Sequence, residues 1–502
     1  MRLRSAVPIL AVVLAVSGCA TIPPRPADLT QLSLSDAAIL IREGLVTSAE
    51  LTQAYIARAD ANPGLNVYIT LDRDGAMAAA RRADAEVAAR KALKPLHGVP
   101  LVVKDNTHVA NLPNTAATPA LRGFIPKENA PTVQKLVDAG AVILGKTNMH
   151  ELAFGISGYN EAFFAGETIG TRNPYDRTRI AGGSSSGTGA AIGGRLAPGG
   201  LGSDTGGSVR IPAALSGGAG LRPTIGRYSQ EGVTPISHSR DTVGPMGQTV
   251  ADVALLDSVI TGHRRPEPAP LSGVRLGVCR GYFFKDLDAD TRAVTDASLE
   301  KLRRVGVTIV DVDMPDLQKT NDAVSFPVAL YEAYDDLKAY LAKYQTGLSV
   351  EQVAAAIASK DVKATYDGLV VPRKLPTPNG LVDAAPVYAA AVRDARPALL
   401  KIYADTFQRY GIDALIGPTT PAVAVTQGPE ASSLPTFLRF IRNTDPGSNA
   451  GIPGLTIPAG LGSSTGLPVG ISLDGPRGSD QRLLAIGLAI ERVLGRTPPP
   501  GR

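Results

Sequence analysis

Long runs of like charge are missing from this chain of 502 residues, and its net charge is only +5. Basic and acidic residues are mixed along the sequence, which is typical of a solvated surface and gives no reason to expect a nucleic-acid partner. Histidine is also scarce, with five residues. His150 precedes Glu151, but the spacing H-E-x-x-H of zinc hydrolases is not completed. We therefore expect His150 to be structural, and we expect neither a metal nor a cofactor.

Charge is absent from a short apolar run, Ala6–Val16, which follows two arginines and leads to small residues and Cys19. This is the pattern of an export signal, and the run is too short to span a bilayer comfortably. The ending "VSGC" resembles a bacterial lipobox, which implies removal of residues 1–18 and acylation of Cys19. Cys279 is the only other cysteine, so acylation of Cys19 excludes an intramolecular disulfide.

These features predict an exported bacterial lipoprotein, anchored in the outer membrane and facing the periplasm. A soluble periplasmic or secreted protein is the alternative. Membrane contact is then made through the lipid anchor alone. Residues 19–32 include several prolines and are predicted to form a tether, and residues 33–497 are predicted to form one large domain. Both a monomer and a homodimer remain open.

The order of predicted helices and strands indicates an α/β fold. Ser33-x-x-Asp36 and Thr47-x-x-Glu50 resemble capping boxes at the start of two helices. The segments "PLVVK", "AVILG", "VRLGV" and "VTIVDV" predict buried strands that alternate with helices such as Ala289–Arg304. This βαβ rhythm favours a mixed, mostly parallel sheet between layers of helices. Residues 320–405 are predicted to be mainly helical and to form a wall of the substrate pocket.

The stretch from Arg179 to Gly217 is rich in glycine and serine but holds neither histidine nor lysine. A P-loop is excluded because no lysine follows the glycines, and the spacing in "GLGSDTGG" excludes a dinucleotide fingerprint. Nucleophilic catalysis remains, because glycines let backbone N–H groups crowd toward one point and form an oxyanion hole. A serine nucleophile needs a base, either a histidine from elsewhere or a lysine kept neutral by burial. Lys104, at the end of the apolar "PLVVK", is the candidate lysine.

Two motifs in and around this stretch, "GGSSSG" and "GSDTGGSVRIPA", closely resemble the signature of the amidase signature family. Other blocks resemble the family in the family's order, among them "HGVPLVVKDN", "GAVILGKTNMHE", "DALIGPTTP" and "GLPVGISL". The resemblance covers nearly the whole chain after the export signal. It implies a single α/β/α domain around a large mixed sheet, and an enzyme that hydrolyses linear amides without a cofactor.

Carried over position by position, the family's catalytic triad falls on Ser208, Ser184 and Lys104. The resemblance implies that Ser208 attacks the amide carbonyl, that Ser184 relays a proton and that Lys104 is the neutral base. It also implies a cis peptide bond before Ser184. The family usually has glycine where this chain has Ser186, a departure that concerns the loop and not the triad.

Residues next to the triad are candidates for supporting roles. Ser185 follows the relay serine, and Asp204 and Arg210 flank the nucleophile, where they either assist catalysis or form a purely structural ion pair. The resemblance implies that the oxyanion is bound by backbone N–H groups of four residues, Thr205, Gly206, Gly207 and Ser208.

Three other interpretations of the sequence fit it less well. Ser298 and Lys301 match the S-x-x-K tetrad of penicillin-binding enzymes, but they lie in a predicted charged helix without the partner motifs. A cytosolic amidotransferase subunit shares the signature, but an export signal does not fit it. A catalytically silent exported binding protein is the non-enzyme alternative, and the presence of all three triad residue types argues against it.

The segment "GLRPTIGRYSQEGVTPISHSRDTVGPM" is most similar to bacterial hydrolases of arylacetamide-type compounds, such as indoleacetamide and mandelamide hydrolases. The predicted substrate is therefore a small aryl or alkyl amide, cleaved to a carboxylic acid and ammonia or an amine. C-terminal peptide amides and anilides are the alternative substrate class.

Overall fold

The computed structural model describes residues 22–501, so Cys19, the predicted export signal and the first residues of the tether lie outside the described residues. The predicted domain limits, 33 and 497, stay predictions. Between residues 22 and 501, no helix has both the length and the apolar character needed to cross a bilayer.

Fifteen strands are present in the described range. They are Tyr68–Leu71 (β1), Pro100–Lys104 (β2), Val142–Thr147 (β3), Phe164–Ala165 (β4), Thr168–Ile169 (β5), Gly199–Asp204 (β6), Ala219–Arg222 (β7), Thr242–Gly247 (β8), Arg275–Val278 (β9), Thr308–Asp311 (β10), Lys374–Thr377 (β11), Gly380–Asp383 (β12), Ala414–Pro418 (β13), Gly454–Leu461 (β14) and Pro468–Asp474 (β15).

Eighteen α-helices accompany these strands between residues 22 and 501. They are Leu34–Arg42 (α1), Ser48–Asp60 (α2), Arg73–Ala88 (α3), Pro131–Asp138 (α4), Ser186–Gly193 (α5), Arg210–Leu215 (α6), Val250–Thr261 (α7), Arg280–Phe283 (α8), Ala289–Arg304 (α9), Leu317–Asp322 (α10), Ser325–Lys343 (α11), Val350–Ala356 (α12), Lys360–Thr365 (α13), Ala384–Ala390 (α14), Arg396–Tyr410 (α15), Leu434–Ile441 (α16), Asp445–Ala450 (α17) and Asp480–Leu494 (α18).

One sheet of 11 strands runs through the molecule in the order β1-β3-β2-β6-β8-β7-β14-β15-β13-β9-β10. Large clusters of buried side chains join it to the helices: β2 and β3 pack with α1, α2 and α4, and β9 and β13–β15 pack with α9, α15 and α18. The predicted α/β fold with a mixed sheet is confirmed.

The prediction that parallel pairing predominates is wrong. Parallel neighbours occur only where the sequence shows a βαβ rhythm or a long crossover, at β2–β3, β2–β6, β9–β10 and β9–β13. The other six pairs of adjacent strands in the large sheet are antiparallel. Five of these pairs form the middle of the sheet, which has the strand order β6-β8-β7-β14-β15-β13. Most of these neighbours are not consecutive in sequence, so local periodicity does not reveal whether they run parallel or antiparallel.

Local sequence patterns predicted several elements correctly. Thr47 and Glu50 form a complete capping box at the start of α2, and Ser33 accepts a hydrogen bond from the Asp36 N–H at the start of α1. Helix α9 has the predicted bounds, Ala289–Arg304. Residues 320–405 are mainly helical, as expected, apart from a segment that forms the hairpin β11–β12.

Candidate active site

The site lies at one edge of the sheet, where β2 and β6 end. These strands are parallel, with Val102 opposite Gly200 and Val103 opposite Leu201. The carboxyl ends of parallel neighbours meet at the same edge, so the end of β2 at Lys104 lies beside the end of β6. The chain then turns through residues 205–208 into α6. This topology brings Lys104 close to the segment that carries Ser208.

Lys104 is fully buried, and its amine contacts hydroxyls rather than carboxylates. Nζ donates to Ser184 Oγ at 2.7 Å and to Ser203 Oγ at 2.8 Å, and it lies 3.4 Å from the Ser203 carbonyl oxygen. Burial, which outweighs the attraction of two more distant carboxylates, lowers the pKa of Lys104 to about 7. Near neutral pH, the Lys104 amine is therefore neutral in a large fraction of the molecules and can accept a proton.

Ser184 stands just before the buried helix α5, and Ser208 stands just before the buried helix α6. The two helices pack closely because α5 is built of small residues; a Cβ at Gly189 would lie only 2.8 Å from the Pro212 carbonyl oxygen. The Ser185 N–H donates to the Ser208 carbonyl oxygen at 3.2 Å, which joins the two serine segments directly. The Gly183–Ser184 peptide bond is cis, as the resemblance implies.

Ser208 lines a cavity and is 7% exposed. Within residues 22–501, Lys104 and Ser184 are hydrogen-bonded to each other, but no hydrogen bond joins the Ser184 and Ser208 hydroxyls. Catalytic hydrogen bonds are often long or poorly aligned without substrate and shorten in the complex. The structure thus places the three predicted residues close together. Of the two hydrogen bonds that would connect them in a proton relay, the one between Lys104 and Ser184 is formed.

The loop of residues 205–208 presents backbone donors next to Ser208. In the described part of the chain, the N–H groups of Thr205, Gly206, Gly207 and Ser208 donate to no protein acceptor. Gly207 has φ +146° and a Cβ there would lie 2.2 Å from Thr444 Oγ1, so glycine is required at this position. The loop is held from behind, because Thr205 Oγ1 donates to Asp241 at 2.6 Å and Thr444 Oγ1 donates to the Gly206 carbonyl at 2.7 Å.

Asp204 and Arg210 form a fully buried ion pair with Nε–Oδ2 at 3.1 Å. A second guanidinium, that of Arg222, donates to Asp204 Oδ1 at 3.1 Å, and the Val209 N–H donates to Oδ2 at 3.2 Å. Burial raises the pKa of the Asp204 carboxyl, but the two guanidinium groups outweigh burial and hold that pKa well below its usual range. Asp204 is therefore an anion that fixes the start of α6 directly after Ser208.

Ser185, the other supporting candidate, does not contact the triad hydroxyls. Its hydroxyl donates to the Ser203 carbonyl at 3.2 Å and accepts from the Ser203 N–H at 3.3 Å, which attaches α5 to β6. Ser186 is accommodated in a similar way: its hydroxyl lies 3.2 Å from Thr171 Oγ1, and its Cβ packs against Gly158. These contacts give both serines a role in holding the segment.

Ser203 was not singled out from the sequence, although it contacts Lys104 directly. Its hydroxyl accepts hydrogen bonds from Lys104 Nζ at 2.8 Å and from the Asn106 side-chain amide at 3.0 Å. The signal was present in the sequence, because Ser203 stands directly before Asp204 in the motif "GSDTGGSVRIPA". Its side chain helps to fix where the Lys104 amine points.

The cavity has a volume of about 520 Å³, within the range of roughly 300–1,000 Å³ typical of small-molecule sites. Its wall includes Ser325, Phe326, Ala329 and Leu330 of α11 and residues of and after α13, as expected for residues 320–405. Three further parts of the wall were not predicted. These are residues 150–156, 236–240 and 432–441, and the first and last of them add Phe154 and Phe437 to a largely apolar surface.

His150 also lines this cavity, and its Nε2 lies 2.9 Å from Asp361 Oδ2. Among the described side chains, the one group with metal-ligand spacing consists of His238, Glu332 and Asp336, and it does not include His150. The rival Ser298 is buried in α9, where its hydroxyl donates to the Val294 carbonyl at 2.8 Å. Ser298 is not among the described residues that line the cavity.

Comparison with known proteins first gives the class, a hydrolase that acts on the C–N bond of linear amides. The chain is 45% identical over 479 residues to a mandelamide hydrolase of Pseudomonas putida, covering 95% of this chain and 94% of the relative. It is 40% identical over 452 residues to an indoleacetamide hydrolase of Agrobacterium vitis, covering 89% and 93%. The structure of a peptide amidase from Stenotrophomonas maltophilia superposes with a TM-score of 0.80 at 29% identity, covering 95% of this chain and 99% of that one.

The family follows from the same comparison. The family model described as Amidase matches residues 50–484, which is most of the chain. The chain belongs to the amidase family, the one that its serine- and glycine-rich motifs resemble.

Proposed function

We propose that the chain hydrolyses small aryl-substituted carboxamides through an acyl-enzyme on Ser208. The observation that carries this proposal is the 2.7 Å contact between Lys104 Nζ and Ser184 Oγ, fully buried beside the cavity that Ser208 lines. A buried amine with a pKa of about 7 that faces a hydroxyl is suited to take a proton near neutral pH.

In the proposed mechanism, Ser208 Oγ attacks the amide carbonyl while its proton passes to Ser184, whose own proton passes to the Lys104 amine. The negative charge that develops on the carbonyl oxygen is stabilised by the N–H groups of residues 205–208. The proton then returns through Ser184 to the leaving nitrogen, which departs as ammonia or an amine. Water, activated through the same two groups, hydrolyses the acyl-enzyme and releases the carboxylic acid.

The substrate class is supported by the cavity and by the relatives. Phe154, Phe326 and Phe437 line the wall, and an aromatic ring buries a large apolar area against such side chains. The two relatives described above are named for aryl-substituted amides. The likeness to a peptide amidase structure supports C-terminal peptide amides or anilides as the second candidate class.

A panel of amides tests the proposal, with ammonia or amine release as the readout. We expect phenyl- and indolyl-substituted acetamides to be cleaved with higher kcat/KM than acetamide, anilides or peptide amides. A clear preference for peptide amides or anilides would instead support the second class. The matched control is Ser208→Ala, which we expect to release no ammonia from any member of the panel.

We also propose that the protein is exported and held at a membrane by acylated Cys19, in the outer membrane and facing the periplasm. The support is the sequence alone: two arginines, a short apolar run and the ending "VSGC".

A further inference from the structure

Asp361 is the only carboxylate among the described residues that line the cavity. The one guanidinium in the wall, that of Arg240, is already paired, because its Nη2 lies 2.6 Å from Asp445 Oδ1 and its Nη1 donates to the Ser325 carbonyl at 2.7 Å. Asp361 therefore provides the anionic part of a wall that is otherwise largely apolar.

His150 holds this carboxylate from behind. Its Nε2 lies 2.9 Å from Asp361 Oδ2, and its Nδ1 lies 3.4 Å from Ser157 Oγ. The ring is fully buried and packs against the backbone of Gly155, in the space that a side chain there would fill, since a Cβ at Gly155 would lie 2.1 Å from the ring. The orientation of the imidazole, and with it one oxygen of Asp361, is fixed by packing and by hydrogen bonds on both ring nitrogens.

Glu151, the residue after His150, holds the backbone at the start of α13, the helix that carries Asp361. Glu151 is fully buried, and its carboxylate accepts from the Ser359 N–H at 2.8 Å and from the Ala358 N–H at 3.3 Å, just before α13. Two consecutive residues thus hold both the side chain of Asp361 and the segment that carries it. Such pre-organisation is typical of groups that orient a ligand.

The Asp361 side chain is 25% exposed, so part of the carboxylate remains accessible. Burial raises the pKa of this carboxyl, but His150 and the backbone N–H groups of Asp361 and Val362 together outweigh burial and lower the pKa below its ordinary value. An ionised carboxylate is only an acceptor of hydrogen bonds. A substrate without a donor would remove water from the accessible part of this carboxylate and offer no hydrogen bond in return. Sites built to bind a donor reject analogues that lack it for this reason.

We propose that Asp361 is a specificity-determining residue, which accepts a hydrogen bond from an O–H or N–H group on the acyl part of the amide substrate. The inference rests on the proposed function, because it requires the acyl part to occupy the cavity when the carbonyl reaches Ser208. His150 acts through Asp361 as a positioning residue.

Matched pairs of amides test this inference, each pair differing in a methyl group that masks one donor. The pairs are 2-hydroxy- and 2-methoxy-2-phenylacetamide, 4-hydroxy- and 4-methoxyphenylacetamide, and indole-3-acetamide and its 1-methyl derivative. We expect kcat/KM to favour the donor in at least one pair by about tenfold or more, as for a hydrogen bond to a charged group. In Asp361→Asn that preference should fall about tenfold, because the amide oxygen accepts from His150 and the amide NH₂ then faces the substrate.

Asp367→Asn is the control, since Asp367 lies on the next turn of the same segment, is exposed and is bound by Lys363. It should keep the wild-type preference. Equal preference for both members of all three pairs in the wild-type protein would overturn the inference, and so would an undiminished preference in folded Asp361→Asn. If Asp361→Asn does not fold, the wild-type ratios and Asp361→Ala decide. Failure of the proposed function would appear differently, as activity that survives in Ser208→Ala, and the ratios would still be measurable.

Discussion

At the scale of single residues, Lys104 has an environment that few lysines share. Its amine contacts the hydroxyls of Ser184 and Ser203 and the Ser203 carbonyl, and none of these partners carries charge. Removal from water disfavours the ammonium form, and the neutral form is the one that can accept a proton. A lysine can therefore take the place that histidine has in other serine hydrolases.

The pH dependence of the rate follows from this pKa. The folded-state pKa of Lys104 is lowered from 10.5 to about 7, so the amine is protonated and inactive as a base below pH 7 and neutral above it. We expect kcat/KM for an uncharged amide to rise with pH and to reach half its plateau near pH 7. The measurement is kcat/KM between pH ~5 and ~10, which reports groups of the free enzyme. A half-point near the value of a free lysine, or a flat profile through pH 7, would contradict this role.

Asp204 is predicted to matter for stability as much as for geometry. In Asp204→Ala, two guanidinium groups, those of Arg210 and Arg222, stay buried without their common anion. Removal of one partner from a buried pair costs about 3–5 kcal/mol. We expect the free energy of unfolding in urea to fall by about that amount. As a control, Asp405→Ala removes an exposed partner of Lys401 and should leave the unfolding midpoint nearly unchanged.

At the scale of elements, the loop between β6 and α6 joins the nucleophile to the proposed oxyanion donors. Its shape depends on Gly207, whose φ of +146° lies outside the range favoured by residues with a side chain. Its position depends on contacts from Asp241 and Thr444, which lie on other parts of the chain.

Gly207→Ala tests the importance of that loop. The added methyl would lie 2.2 Å from Thr444 Oγ1, so the loop must shift and its N–H groups must turn from their present directions. Loss of one oxyanion donor costs about 10²–10³ in kcat, and we expect a loss of at least ~10²-fold with the protein still folded. Gly123→Ala, with nothing within 4 Å of the added carbon, should retain wild-type kcat. Equal kcat in both variants would show that the loop is not part of the site.

The elements that sequence predicted well are those set by local pattern. Lys104 at the end of β2, the capping box of α2 and the bounds of α9 follow from periodicity and caps within a short window. The antiparallel centre of the sheet was missed because three of its five strand pairs, β6–β8, β7–β14 and β13–β15, join strands that are not consecutive in sequence. The wall at residues 432–441 was missed for a related reason: α16 looks like an ordinary amphipathic helix, and only the fold shows that it faces the cavity. Ser203 lies inside the motif "GSDTGGSVRIPA" but was missed, because its contact with Lys104 depends on the pairing of β2 with β6.

At the scale of the whole molecule, the proposed lipid anchor on Cys19 predicts where the protein resides. Cys19→Ser removes the only residue that a lipobox can acylate, and the chain should then move from the membrane fraction to the soluble periplasm or the medium. The measurement is fractionation of cells that express each form, together with the mass of the mature N-terminus. Cys279→Ser is the control and should remain with the membrane. An unchanged distribution of Cys19→Ser, with no lipid on the native N-terminus, would contradict the anchor.

The most direct test of the mechanism is mass spectrometry of the protein after reaction with a fluorophosphonate, which traps an activated serine. We expect one covalent adduct, on Ser208. It should be lost in Ser208→Ala, strongly reduced in Lys104→Ala at neutral pH, and unchanged in Ser298→Ala, whose hydroxyl is bound within α9. Amide hydrolysis should follow the same order across these variants, because residues that act as a unit lose activity together. An adduct on Ser298, or full activity in Lys104→Ala or Ser208→Ala, would contradict the proposed roles of Ser208 and Lys104.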